Sequence, residues 1–149
     1  MHPIASELEA VIDQHVAALR AMLKDKMEYK PAPNKWSKKE ILGHMVDSAQ
    51  NNIRRFIVAQ YEDNPTITYK QDNWVAISGY QSYDLTDLVN LWYLLNKHIV
   101  VILQRTPAEM MQRSCQTEQS HTIDWLAKDY LRHLLHHLHQ VLDLEPVAY

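Results

Sequence analysis

The chain has 149 residues, 46% of them hydrophobic and 22% charged, with a formal net charge of −3. That length suits a single domain over residues 1–149 with a sizeable core, and the acidic balance without a long basic run argues against nucleic acid as a partner. One cysteine, Cys115, excludes an internal disulfide and fits a reducing compartment; the absence of a basic-then-apolar leader or of any long apolar run makes a cytoplasmic protein, with no membrane association, the expectation.

Two glycines in the whole chain leave little for tight turns, so an all-β fold is not expected and the elements are sought as helices. Residues 3 to about 27 read as helix one, with Ile4, Leu8, Val11, His15, Leu19 and Met22 along an apolar stripe. His15 is read there as a core histidine. Residues 29–35, with two prolines and an asparagine, form a connection. The sharpest local signal follows in Trp36-Ser37-Lys38-Lys39-Glu40-Ile41: Ser37 and Glu40 make a capping box, and Trp36 with Ile41 a hydrophobic staple. Helix two therefore starts at Ser37 and runs to about Tyr61. Ile41, Met45, Ala49, Phe56 and Gln60 trace one side, with His44 at its margin and Asp47 and Ser48 one turn on.

Residues 63–83 break the helical pattern. They hold Asn64-Pro65, a β-like run at residues 66–69, a helical turn or two at 71–76, and the aromatics Tyr69, Trp74, Tyr80 and Tyr83. A long crossover between bundle helices is expected here, with the end of a pocket as a further role. Asp84 caps helix three, which reaches about Gln104 through Leu88, Leu91, Trp92, Leu95, Ile99 and Ile102. His98, beside Leu91, Leu95 and Ile102, is a further candidate ligand. Residues 110–121 read as polar and irregular, and nothing near Cys115 in sequence would activate its thiol.

Thr122 caps helix four, which runs to about Leu144 and carries four of the nine histidines at positions 133, 136, 137 and 139. At ~100° per residue, Ile123, Leu126, Tyr130, Leu134 and Val141 share one arc. His137 falls inside it and His133 at its margin, four residues apart and stacked on one face, whereas His136 and His139 fall on the far side and are expected to be solvated. A four-helix bundle builds its core sites from facing helices, so His44 with His133 and His137 makes a candidate three-imidazole metal site with positions left for water or substrate. Imidazole suits zinc, nickel, copper and iron alike. Asp47 and Asp129 are candidates to orient a ligand ring.

Residues 36–48, Trp-Ser-Lys-Lys-Glu-Ile-Leu-Gly-His-Met-Val-Asp-Ser, together with the H-x-x-H-H-x-x-Q pattern of His133, His136, His137 and Gln140, resemble the DinB/YfiT-like superfamily of metal-binding four-helix bundles. The resemblance covers nearly the whole chain and includes residues 69–74 as a crossover segment. It implies a divalent metal on His44, His133 and His137, zinc or nickel first and iron or manganese after them. It also implies a homodimer, and either thiol S-transfer with a low-molecular-weight thiol or metal-dependent hydrolysis of a small-molecule substrate. A non-catalytic bundle that binds a metal or small ligand, and a structural bundle with incidental histidines, stand as the other readings.

Overall fold

A computed structural model describes residues 2–149. Its long helices are α1 (Pro3–Ala21), α3 (Lys38–Val58), α5 (Leu85–Arg105) and α6 (Ile123–Val141); α2 (Lys24–Glu28) and α4 (Gln71–Ser78) are short. Each long helix packs on two others, in the cyclic order α1–α5–α3–α6. Helices α1 and α3 therefore stand at diagonal corners of the bundle, as do α5 and α6. The all-α four-helix bundle expected from the periodicity is the fold, with the long connection between α3 and α5 that the crossover reading requires.

The helix starts follow the capping chemistry. Ser37 Oγ accepts the Glu40 N–H at 3.1 Å while Glu40 Oε1 accepts the Ser37 N–H at 3.1 Å, so both halves of the capping box are made. Asp84 accepts the Asp87 N–H at 2.9 Å and Thr122 the Trp125 N–H at 3.1 Å. Helix α3 is the buried centre: Leu42 to Ala49 are buried without interruption, polar side chains included. A helix buried all round needs partners for its polar groups. Asn51 and Asn52 find them in the carbonyls of Asp47 and Ser48 one turn back.

Two expectations are corrected and a third reading is extended. Helix one stops at Ala21 rather than near residue 27, because Met22 and Leu23 take extended backbone (ψ 133° and 139°) before α2 resumes. The step lets Met27 enter the core and brings Glu28 to Lys39, whose ammonium, 2% exposed, it accepts at 3.1 Å. Second, residues 110–121 contain a hairpin, β1 (Ser114–Gln116) against β2 (Ser120–Thr122). Its turn needs no glycine because Gln116 and Thr117 side chains bond the carbonyls of Glu118 and Gln119. Third, the β-like run in the crossover joins that hairpin, with Ile67 N–H donating to the Gln116 carbonyl at 2.9 Å. Gly79, at φ +66°, then ends α4 in the left-handed conformation that favours glycine. No helix among the described residues is long and apolar enough to cross a membrane.

Candidate metal centre

Helices α3 and α6 run antiparallel, since His44 meets His133 while Phe56, further along α3, meets Tyr130, earlier on α6. At the His44 end three imidazoles converge. His44 Nε2 lies 3.3 Å from His133 Nε2, and His137 Nε2 lies 3.1 Å from the same atom; the three ligand atoms sit within 4.8 Å of one another. The rings stand nearly perpendicular, at 80°, 84° and 82° for the three pairs. Nitrogens this close cannot all carry protons, and three lone pairs aimed at one point suit a cation.

Electrostatics agrees with that geometry. Burial, with His137 nearby, pulls the His44 ring down to about 4; burial and the neighbouring His137, His44 and His136 pull His133 down to about 3. His137 is also lowered, chiefly by burial and partly offset by its bond to Gln140. All three rings are thus neutral at pH 7, the state a metal requires. His137 Nδ1–H donates to Gln140 Oε1 at 2.8 Å, which fixes the tautomer that leaves Nε2 free as a ligand atom. The Trp36 ring covers His44 with centroids 5.0 Å apart, beyond the Ile41 partner the staple reading gave it. His44 Nδ1 is buried with no partner among the described residues.

The other expected residues fall elsewhere. His98 is exposed on α5, away from the cluster. His15 is half-buried rather than in the core, its Nδ1–H donating to the Val11 carbonyl at 2.8 Å. His136 and His139 are not simply solvated: the C-terminal segment folds back over α6, and they donate to the carbonyls of Val147 and Glu145, each at 2.7 Å. Asp47 accepts from the Tyr80 hydroxyl, and Asp129 from Tyr149 and Arg132, so neither carboxylate orients a ring of the cluster. Cys115 is buried, and burial raises its thiol, so it is inert.

Sequence reasoning missed Tyr149 and Gly43. The Tyr149 ring packs 5.0 Å from His133 and its hydroxyl donates to Asp129 at 2.8 Å, a contact no local pattern announces. Gly43 precedes His44 because a Cβ there would lie 2.1 Å from the Tyr80 ring. The histidine cluster opens through His133 into a polar cavity of about 400 Å³, with Ser48, Arg55, Tyr69, Trp125 and Tyr149 among its walls. Only the start of the aromatic crossover reaches it; Tyr80 packs on Gly43 instead. A larger cavity of about 700 Å³ lies beside Leu19, Tyr83 and Val89 and contains none of the three histidines.

A helical bundle with clustered imidazoles beside a cavity defines a class of small proteins equipped to hold a divalent metal. Within that class the chain belongs to the DinB superfamily, whose sequence pattern matches residues 7–141. It is 24% identical over 117 residues to a Bacillus mycoides protein named "putative metal-dependent hydrolase", covering 78% of this chain and 68% of that one. A Halalkalibacterium halodurans protein of the same name is 30% identical over 86 residues, 56% of this chain and 48% of its own length. In structure the chain matches YfiT from Bacillus subtilis, described as "a probable metal-dependent hydrolase with an unusual four-helix bundle topology", with a TM-score of 0.80 at 18% identity over 93% of this chain and 84% of YfiT. The fold shared with YfiT is therefore firm, and the activity in those names belongs to those proteins.

Proposed function

We propose that this protein is a metal-dependent hydrolase of a small molecule, with His44, His133 and His137 as the ligands of one divalent ion. One observation carries the reading: three neutral imidazole nitrogens from two facing helices meet at the end of a polar cavity. The names of the two sequence relatives support it. When bound, a divalent ion supplies Lewis-acid activation of water or of a substrate carbonyl.

The protein's own groups set up the remainder. Gln140 holds the His137 tautomer, and the Trp36 ring screens His44. The Tyr69 phenol, protonated at pH 7 like any phenol and raised further by burial, stands beside Ser48 on the cavity wall and can donate to a substrate oxygen there. Tyr149, held by Asp129, closes the wall beside His133. Thiol transfer needs the same metal ligands and differs in the nucleophile, so one experiment separates the two. Purified protein should hold about one divalent ion per chain, and His137→Ala should abolish it. Metal-loaded protein is then given chromogenic esters and amides with and without a low-molecular-weight thiol. Hydrolysis without thiol, lost in His44→Ala, supports the reading. Strict thiol dependence replaces it with S-transfer, and rates no higher than those of the free ion replace it with a non-catalytic binding bundle.

A further inference from the structure

The cavity is a trough between α3 and α6. Ser48, Asn52 and Arg55 line one wall at helical spacing, and Trp125, Asp129 and His133 line the other. The histidines occupy one end. Arg55 follows His44 by eleven residues, roughly 16 Å of helix rise, and so stands toward the far end, opposite the first turns of α6.

Burial lowers the Arg55 guanidinium from its usual range but leaves it charged at neutral pH, yet it ion-pairs with no carboxylate among the described residues. Its Nε–H and one Nη2–H donate to the Ile67 carbonyl at 3.1 and 3.0 Å, and Nη1 reaches Asn52 Oδ1 at 3.4 Å. That accounts for three of the five N–H groups a guanidinium carries, and two are left without a protein acceptor. The Ile67 bonds hold the fork in place, so it is ordered before any ligand arrives. The acidic groups on the trough do not occupy its free N–H groups: the Asp129 charge favours the guanidinium from a distance while its oxygens accept from Tyr149 and Arg132, and Glu118 is exposed on the hairpin turn. At the rim, His121 and Trp125 stack at 3.5 Å with an 8° tilt, a flat aromatic shelf.

We infer that the trough recognises a substrate carrying a carboxylate, held by Arg55, with an apolar or aromatic body on the Trp125 shelf and its reactive group toward the histidines. A carboxylate matches two free N–H groups with two oxygens, and such a charge-assisted pair is about twice as strong as one between neutral groups. This rests on the hydrolase reading for which end reacts, but the anion subsite is separable from it.

The test is calorimetric binding of 4-phenylbutyrate and of its uncharged amide to metal-free and zinc-loaded protein, with zinc content measured on the same samples. In metal-free wild type, where no ion can take the carboxylate, the acid should bind about 10-fold or more tightly than the amide. Arg55→Gln, which keeps a donor for Ile67, should erase that difference, and Arg55→Lys should keep part of it. Equal binding of acid and amide in wild type, no binding of the acid at millimolar concentration, or a preference that survives in Arg55→Gln overturns the inference. If Arg55→Gln loses its helical circular dichroism, the wild-type comparison decides alone. An Arg55-dependent preference in protein that cannot hold zinc would sink the hydrolase reading and leave the subsite standing. Full zinc content with no preference would do the reverse.

Discussion

Gly43 and Tyr80 are one unit. The Tyr80 ring occupies the space where a Cβ on residue 43 would sit, and its hydroxyl donates to buried Asp47 one turn along α3. Gly43→Ala must push the ring away, and overpacking of this kind costs ~1–3 kcal/mol. Tyr80→Phe keeps the ring and removes the hydroxyl, which strips a buried carboxyl of its partner at a cost of about 1–3 kcal/mol. The two changes should be less than additive in urea unfolding, because the first already displaces the hydroxyl the second deletes. Additive losses would show the two contacts to be independent. Gln140 is a different case. It is exposed, so Gln140→Ala should leave stability within ~0.5 kcal/mol. It also holds the His137 tautomer, so zinc affinity in a chelator competition should fall about 10- to 100-fold. Unchanged affinity would mean that His137 is oriented without it. Sequence spacing revealed the histidines because residues four apart share a helix face. The roles of Gly43 and Tyr149 are set by contacts across the fold and leave no periodic trace.

At the scale of elements, local chemistry predicts starts better than stops. The capping box at Ser37 is made as read, and Ser37 Oγ additionally donates to Gln81 Oε1 near the end of the crossover, tying the start of α3 to the turn that follows α4. Ser37→Ala should therefore cost at least the ~1 kcal/mol of an ordinary cap, measured by thermal or urea unfolding. Gln81→Ala should cost part of the same amount. A loss below about 0.5 kcal/mol for Ser37→Ala would show solvent replacing the side chain without penalty. The break at Met22 and Leu23 carries no such signal. Neither residue is Gly or Pro, and the chain turns there because burying Met27 and pairing Glu28 with Lys39 outweigh helix propensity. The hairpin at residues 114–122 was hidden for a related reason. Its strands are three residues long, and its pairing with Ile67 is decided by the crossover rather than by its own pattern.

For the whole molecule, the pH dependence of stability joins the site to the fold. In metal-free protein His44 and His133 titrate near 4 and 3, and His137 is also lowered, because burial disfavours their charged forms. In the unfolded chain they gain protons near pH 6.5. The unfolded state therefore binds more protons, and stability present above pH 6.5 is lost as pH falls toward 4. Asp47 opposes this: burial raises its carboxyl to about 6, so its contribution is full below its unfolded value near 3.8 and is lost as pH rises through 6. Asp124 and Asp143, held low by hydrogen bonds from Lys128 and Lys38, act only at lower pH. Between pH 6.5 and 5 the contest is thus two strongly shifted imidazoles, with help from His137, against one carboxyl. A net of about one proton at ~1.4 kcal/mol per pH unit gives a loss on the order of 2 kcal/mol over that window. Urea unfolding with a chelator present should show that loss, and His133→Asn should flatten it by removing one of the shifted rings. Stability that holds level or rises on acidification would mean that water reaches the three rings in the metal-free fold, and that the closed, neutral cluster on which metal binding depends is not what the chain builds.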